Sequence, residues 1–205
     1  MKQTLITLII ASGIALSTSA APQSFDFKDA KGVNNATFKL DAPLEAINGS
    51  ANGVSGTVDF DADKPAATKG KIVVAAKSLT VGNSMMQEHL HSDGWLDVAK
   101  HTEISFDVKS LKDAKTKDNV TTATAVGTFT LKGVSKEISA PVKLTYLKGK
   151  LADRTMGKVK GDLLVIRSTF TIKRGDFNIK RGEMEDKVTN DIELSLSIAG
   201  AALEK

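Results

Sequence analysis

Apolar and polar side chains alternate with a period of two along most of this chain. In residues 192–198, isoleucine and leucine alternate with glutamate and serine. Successive side chains of a β-strand point to opposite faces, so this pattern predicts a strand with one apolar face. The same alternation recurs in residues 36–41, 57–61, 72–76, 104–109, 125–132, 142–146 and 169–172. The chain is therefore predicted to be an all-β protein of roughly eight strands.

Turn signals that contain glycine separate these predicted strands. They are Asn48-Gly49, Asn52-Gly53, Gly133 and Gly149, and their spacing is typical of strands joined by short turns. Such strands form either a closed up-and-down antiparallel barrel or a two-sheet sandwich. We favour the barrel because closure removes exposed strand edges, and the chain has no cysteine with which to form a disulfide.

The N-terminal residues have the pattern of a secretion signal. Lys2 gives a basic start, and the apolar run from Thr4 to Leu16 is too short for a transmembrane anchor. Small residues follow, and Pro22 disfavours cleavage directly before itself, so we expect cleavage after Ala20. The predicted organisation is a signal peptide at residues 1–20 and one domain at residues 21–205. No later segment is long and apolar enough to predict a transmembrane helix.

The alternation stops between residues 83 and 101. Ser84 is a candidate helix cap, and the apolar residues after it have helical spacing. Gly94 is a typical residue at the end of a helix, and Trp95 and Leu96 follow it. We therefore expect a short helical crossover around residues 84–100, with Trp95 and Leu96 packed against the barrel.

The crossover also holds the richest group of potential metal ligands. A histidine beside a carboxylate at a helix end is usually held by hydrogen bonds, so we expect His89 to tie the crossover down. The alternative is a copper site, because copper accepts thioether and imidazole ligands. Its ligands would be Met85, Met86, His89 and His91. Neighbouring residues point to different faces of a helix, so this site would require an irregular segment.

No sequence motif indicates catalysis. Val54-Ser55-Gly56 lacks the full glycine pattern that exposes a nucleophilic serine. The segment Lys132–Lys136 has one glycine between two predicted strands, which favours a hairpin turn over a phosphate-binding loop. We therefore predict that the protein is not an enzyme and has no cofactor.

Basic residues are concentrated between Lys148 and Arg181, although the net charge is only +4. The chain has one Trp and one Tyr and no basic helical segment, so we expect no nucleic-acid partner. Within the basic segment, Arg174 and Arg181 are candidates to hold a ligand phosphate, because guanidinium groups bind phosphate through paired hydrogen bonds.

Four stretches of the chain resemble successive motifs of the YceI-like family. They are Glu88–Asp97, Ile104–Phe106, Gly127–Lys136 and Arg174–Phe177. The resemblance implies an extended, eight-stranded, lipocalin-like antiparallel barrel in the bacterial periplasm. It also implies a long apolar tunnel that binds a polyisoprenoid or another long-chain amphiphile. His89 and Asp97 match the family's usual histidine and aspartate.

The leading hypothesis is a periplasmic carrier for a long-chain isoprenoid or fatty-acyl lipid. The predicted tunnel residues are the inward apolar side chains Phe38, Phe60, Val74, Phe106, Val108, Phe129, Leu131, Val142, Leu144, Tyr146, Phe170 and Ile172. The head-group candidates are His89, Asp97, Arg174 and Arg181.

Two alternative functions stay open at this point. The first is a stress-response interaction protein, because the interior of a small barrel is apolar whether side chains or a ligand fill it. The second is a periplasmic copper-binding protein that uses the methionine and histidine cluster. The low aromatic content of 5% favours a cavity over a filled interior, since large rings fill barrels efficiently. A homodimer is also left open.

Overall fold

The computed structural model describes residues 22–29 and 31–204, and the predicted signal peptide lies outside this part. The strands are β1 (Gln23–Asp26), β2 (Asn35–Asp41), β3 (Ala46–Ala51), β4 (Val54–Phe60), β5 (Lys69–Ala75), β6 (Leu79–Val81), β7 (Glu103–Lys117), β8 (Val120–Leu131), β9 (Val134–Leu147), β10 (Gly161–Lys173) and β11 (Asp191–Leu203). The α-helices are α1 (Ser84–His91) and α2 (Leu151–Arg154), and 3-10 turns occupy Pro65–Ala67, Ala76–Ser78 and Arg174–Phe177. In the described part of the chain, no helix has the length and apolar character needed to cross a membrane.

Eight strands form a closed antiparallel barrel. Hydrogen-bonded neighbours follow the order β1, β4, β5, β7, β8, β9, β10 and β11, and the pairing of Asp26 with Ala201 joins β11 back to β1. From β7 onward each strand pairs with the next strand along the chain, as in an up-and-down barrel. The eight-stranded barrel predicted from the alternation is therefore confirmed.

At one end of the barrel the sheet divides. Strands β2, β3 and β6 form a second branch that extends from β11. Strand β6 pairs with β3, and its outer edge has no strand partner among the described residues. Helix α1 covers this edge through Gln87, whose Oε1 accepts a hydrogen bond from Val81 N at 2.8 Å and whose Nε2 donates to Leu79 O at 2.7 Å. The amide of Gln87 thus replaces part of a neighbouring strand.

The interior contains two apolar clusters, which we call the closed half and the open half of the barrel. The closed half is built around Phe25, Phe27, Val58, Phe60, Leu111, Leu144, Leu164, Ile166 and Ile198. The open half is built around Phe38, Leu40, Leu96, Phe129, Leu131, Ile172, Phe177, Ile179 and Val188. Trp95 and Leu96, which follow α1, pack in the open half, as the sequence predicts.

Three local predictions were wrong. Helix α1 ends at His91, with Ser92 as its C-cap, and not at Gly94. Asn48-Gly49 lies inside β3 instead of forming a turn, and Gly49 pairs with Phe38. A Cβ at Gly49 would come within 2.1 Å of the Phe38 ring, so close approach, and not turn geometry, requires glycine there. The N-cap of α1 is Asn83 and not Ser84, because the Asn83 side chain accepts a hydrogen bond from Met86 N at 3.0 Å.

Candidate functional site

The open half of the barrel encloses an apolar cavity of about 690 Å³. This volume lies within the range of pockets that hold small-molecule ligands. Among the twelve predicted tunnel residues, those that line the cavity are Phe38, Val74, Phe106, Val108, Phe129, Leu131, Val142, Leu144, Phe170 and Ile172. Phe106, Val142 and Phe170 are only half-buried although they point inward, because they face the cavity.

The other two predicted tunnel residues, Phe60 and Tyr146, do not line the cavity. They lie in the closed half, where their ring centroids are 6.3 Å apart. Phe25 meets Tyr146 edge to face at 6.1 Å. These rings fill the closed end of the barrel with one another. The prediction of a tunnel enclosed by every inward residue therefore does not hold at this end.

Small side chains leave room for the cavity. Ala125 of β8 is paired with Ala140 of β9, and both line the cavity wall. Ser168 of β10 also lines it, and its Oγ donates to Pro141 O at 2.7 Å, so the hydroxyl is satisfied by the wall. Because strand number largely determines the diameter of a barrel, small residues at one level leave space that large residues would occupy.

The cavity opens to solvent between the β2–β3 turn, helix α1 and the segment between β10 and β11. The exposed residues at this rim are Glu45, Asn83, Met85, His89, Met184 and Lys187. A hydrogen bond from Leu44 N to Asp186 O at 3.0 Å joins the β2–β3 turn to the segment between β10 and β11. The opening thus carries charged and polar groups beside two methionines, whereas the wall is mostly hydrocarbon. This arrangement can hold a molecule with a long apolar part inside and a polar end outside.

Arg174 is buried in the open half, with 1% of its surface exposed. Its guanidinium binds backbone carbonyls: Nη1 donates to Ile179 O at 2.9 Å and Nη2 to Val188 O at 2.9 Å. The full set of acceptors is the carbonyl oxygens of Ile179, Lys180, Glu183, Val188 and Thr189. Together they occupy all five N–H groups of an arginine, so none remains for the ligand phosphate that we predicted. Arg174 instead fixes the segment between β10 and β11.

Burial and hydrogen bonds shift the pKa values of one ionisable group in the open half, Arg174, and of two in the closed half, Tyr146 and Asp162. Burial lowers the pKa of Arg174, and Glu185 and Glu183 act in the opposite direction. In the closed half Tyr146 Oη donates to Asp162 Oδ2 at 2.6 Å. Burial and this hydrogen bond raise the pKa of Tyr146 to about 12. Burial acts to raise the pKa of Asp162 as well, but its hydrogen bonds, with Tyr146 foremost, outweigh burial and lower it.

Two further head-group candidates, Arg181 and Asp97, lie outside the cavity wall. Arg181 is exposed, and its Nε donates to Gly175 O at 3.0 Å. Asp97 lies in the turn after α1 with a φ of 49°, and its carboxylate is 3.3 Å from the Lys100 ammonium. Among the four predicted head-group residues, His89 alone combines an exposed side chain with a place in the cavity lining.

His91, and not His89, ties α1 to the barrel. His91 Nε2 lies 2.9 Å from Leu79 O and 2.8 Å from Gln87 Nε2. The His89 ring is exposed at the cavity mouth and has no hydrogen-bond partner within the described ranges. Residues two apart lie on nearly opposite faces of a helix, so α1 presents one histidine to β6 and the other to the cavity. The tether predicted for His89 therefore belongs to His91.

The same geometry separates the four predicted copper ligands. Met85, Met86 and His89 line the cavity mouth, whereas His91 is engaged with β6. Within residues 22–29 and 31–204, no three His, Asp or Glu side chains gather in a way that could hold a metal ion. The site therefore gives the copper alternative no support.

Part of the cavity wall was missed by sequence reasoning. Trp95, Ala140 and Ser168 all line the cavity. The alternation places Ala140 on the same face as Val142, and Ser168 on the same face as Phe170. A criterion of large apolar side chains excludes both, although the strand pattern contains the signal. Trp95 could be assigned only to packing, since it lies outside any strand.

Comparison with known sequences identifies the family. Residues 24–199 match the YceI-like domain. A UPF0312 protein from Shewanella sp. strain MR-7 is 30% identical over 141 residues, which cover 68% of this chain and 71% of that protein. A UPF0312 protein from Yersinia enterocolitica is 32% identical over 99 residues, so the match spans about half of each protein, 48% of this chain and 49% of the relative.

Solved structures show the same barrel. BcnA of Burkholderia cenocepacia superposes with a TM-score of 0.65 at 17% identity, covering 81% of this chain and 95% of BcnA. A polyisoprenoid binding domain from Saccharophagus degradans superposes with a TM-score of 0.64 at 11% identity, covering 88% of this chain and 99% of that domain. At these identities the likeness shows the fold alone. With the match over residues 24–199, the barrel shows that this chain belongs to the YceI-like family.

Proposed function

We propose that this protein is a periplasmic carrier that binds a long-chain apolar lipid, a polyisoprenoid, in the barrel cavity. The observation that carries the proposal is the apolar cavity of about 690 Å³ with Glu45 and Lys187 exposed at its rim. A polyisoprenoid binding domain with the same fold supports the choice of ligand class. In this proposal the protein is not an enzyme, needs no cofactor and is exported by the signal peptide at residues 1–20.

The hydrophobic effect is large enough to hold such a ligand. Burial of each methylene contributes about 0.8 kcal/mol, so ten of them contribute about 8 kcal/mol before the cost of immobilising the chain. The wall offers this gain to any hydrocarbon of suitable shape. We therefore expect the apolar chain to supply most of the affinity and the shape of the cavity to supply most of the selectivity.

The polar end of the ligand would lie at the rim. His89 and Lys187 are exposed there, and both can donate hydrogen bonds to a phosphate or carbonyl group. The rim is solvated, which weakens such contacts. Arg174, with its donors already occupied, contributes only by holding the segment that carries Lys187. We therefore expect head groups to change the affinity less than chain length does.

Trp95 provides a direct assay. It is the only tryptophan of the chain and it lines the cavity, so its fluorescence reports on occupancy. Titration with geranylgeraniol, a short polyisoprenoid alcohol, should give a saturable change that corresponds to one ligand per protein. Native mass spectrometry of protein purified without detergent should show a lipid adduct.

Export is tested separately. The N-terminal sequence of the exported protein should begin at Ala21.

A matched pair of variants tests the location. Val142 of β9 faces the cavity, and its neighbour Lys143 points outward and is exposed. Val142→Asp should weaken geranylgeraniol binding by about 100-fold, because a carboxylate is costly to bury against hydrocarbon. Lys143→Asp should leave binding unchanged. Wild-type protein with neither adduct nor fluorescence response would instead favour the interaction-protein hypothesis.

A further inference from the structure

The inner end of the cavity has a continuous apolar floor. Six of the lining residues also belong to the closed-half cluster: Ile72 and Ala125, which we assign to the wall, and four residues that we assign to this floor. The floor residues are Val58, Leu111, Leu144 and Ile166, with 2%, 5%, 2% and 8% of their surfaces exposed. All four belong to the same cluster as Phe25 and Phe60, so the floor is packed from behind by the closed half. A chain that enters from the mouth therefore ends against a solid surface.

An aromatic cluster lies behind this floor. It consists of Phe25, Phe60 and Tyr146, and we call it the aromatic plug. Phe25 is 0% and Phe60 3% exposed, and both rings pack against that of Tyr146. The Tyr146 hydroxyl donates to Asp162 at 2.6 Å, which fixes the third ring in place. Close-packed interiors deform little, so the plug cannot move aside without breaking these contacts.

The wall between mouth and floor has a defined length. On β10 the lining runs from Ile172 to Ile166, which is about 20 Å at about 3.3 Å per residue. Beyond Ile166 the next inward residue is Leu164, which is 0% exposed and belongs to the closed half. An apolar chain gains affinity with each carbon that it buries, but carbons beyond this length must remain in water at the rim.

We propose that the floor and the aromatic plug behind it set the length of hydrocarbon that the protein accepts, with Leu144 of the floor and Tyr146 of the plug as the specificity-determining residues. The inference rests on the proposed lipid-binding function. Leu144 and Tyr146 share the inward face of β9, with Leu144 at the floor and Tyr146 directly behind it. Removal of both side chains extends the cavity into the closed half.

Saturated fatty acids of increasing length, from dodecanoate to docosanoate, are suitable probes. Binding is followed by the fluorescence of Trp95. With wild-type protein, affinity should rise with chain length and then level off at one length. In the Leu144→Ala/Tyr146→Ala double variant, that length should increase by several carbons. Tyr146→Phe keeps the ring in place and should leave the chain length at which affinity levels off unchanged.

A second variant tests the same inference in the opposite direction. Ile166→Phe places a larger side chain on the floor and should move the levelling point to shorter chains. It does not depend on a cavity-creating change, so it remains informative if the double variant fails to fold, which circular dichroism would show. Wild-type protein that binds neither geranylgeraniol nor any of the fatty acids would refute the proposed function itself, whereas binding of geranylgeraniol alone would show that the ligand is not selected by hydrocarbon length and would refute the plug as a length stop. Binding with the same levelling point in wild type, the folded double variant and Ile166→Phe would refute the plug as a length stop and leave the carrier function intact.

Discussion

The closed and open halves of the barrel are built from the same set of long strands but are filled differently. In the closed half Phe25 and Leu164 are 0% exposed, and Ile198 is 1% exposed. In the open half the inward rings of Phe106 and Phe170 remain partly accessible because they face the cavity. Strands β1 and β4 complete the closed half, whereas β2, β3 and β6 form the second branch of the sheet in the open half. The arrangement of these strands, together with the size of the inward side chains, therefore determines where the interior is full.

Removal of an aromatic ring should therefore cost more stability in the closed half. Phe25→Ala removes a ring that is packed on every side, and we expect a loss of about 3–5 kcal/mol in the free energy of unfolding. Phe170→Ala enlarges a cavity that already exists and should cost only about 2 kcal/mol, because the ring has fewer contacts to lose. Urea denaturation followed by circular dichroism measures both. Equal losses would show that the cavity is collapsed in solution.

The sequence was sufficient to predict the direction in which strand residues face. Alternation identified the inward face along regular stretches of strand, including Phe106 on β7 and Phe129 on β8. It missed Leu111, which a register shift after Val108 turns inward. The pattern does not show how far along the barrel axis an inward residue lies. Phe60 and Tyr146 have the correct parity but lie at the filled end, and only strand register places them there.

The head-group residues were harder to predict for a different reason. The occupied donors of Arg174 depend on the path of the backbone between β10 and β11, which no local pattern specifies. The roles of His89 and His91 depend on which face of α1 contacts β6. Residue type identified α1 and the segment between β10 and β11. Which residue of each segment forms which contact depends on how that segment packs in the folded barrel.

The open half should depend on Arg174 far more than on Arg181. Arg174→Met keeps much of the side-chain volume but leaves buried carbonyls without donors, each at a cost of about 1–3 kcal/mol. Only the hydrogen bonds to Ile179 O and Val188 O are fully buried, so we expect a total loss of about 3 kcal/mol in unfolding free energy and faster hydrogen exchange between β10 and β11. Arg181→Gln changes an exposed side chain and should stay within about 0.5 kcal/mol of wild type. Similar losses of unfolding free energy for the two variants would contradict the set of backbone-carbonyl hydrogen bonds described for Arg174.

The two histidines of α1 should also differ. His91→Ala removes the contact with Leu79 O and should cost about 1–2 kcal/mol, with faster hydrogen exchange in β6, whose outer edge α1 covers. His89→Ala should leave the melting temperature unchanged, because the ring is exposed at the mouth. If His89→Ala destabilised the protein and His91→Ala did not, the docking of α1 on β6 would have to be revised.

The smallest expected effect concerns the proton of Tyr146 in the closed half. The folded-state pKa of about 12 lies above the ordinary value of 10.0, owing first to burial and then to the hydrogen bond with Asp162. Stability from this proton is fully present below pH 10 and is lost as the pH rises towards 12. Tyr146→Phe should remove this part of the alkaline loss.

Tyr146 is the only tyrosine of the chain, so tyrosinate absorbance follows its ionisation without interference. In wild-type protein it should titrate near 12 while circular dichroism still reports the folded barrel. Asp162→Asn removes the charged acceptor but not the burial, so the pKa of Tyr146 should fall only part of the way towards 10.0. An unshifted titration in folded wild-type protein would mean that the third ring of the plug is neither buried nor anchored. The closed half would then differ from the open half less than its packing indicates.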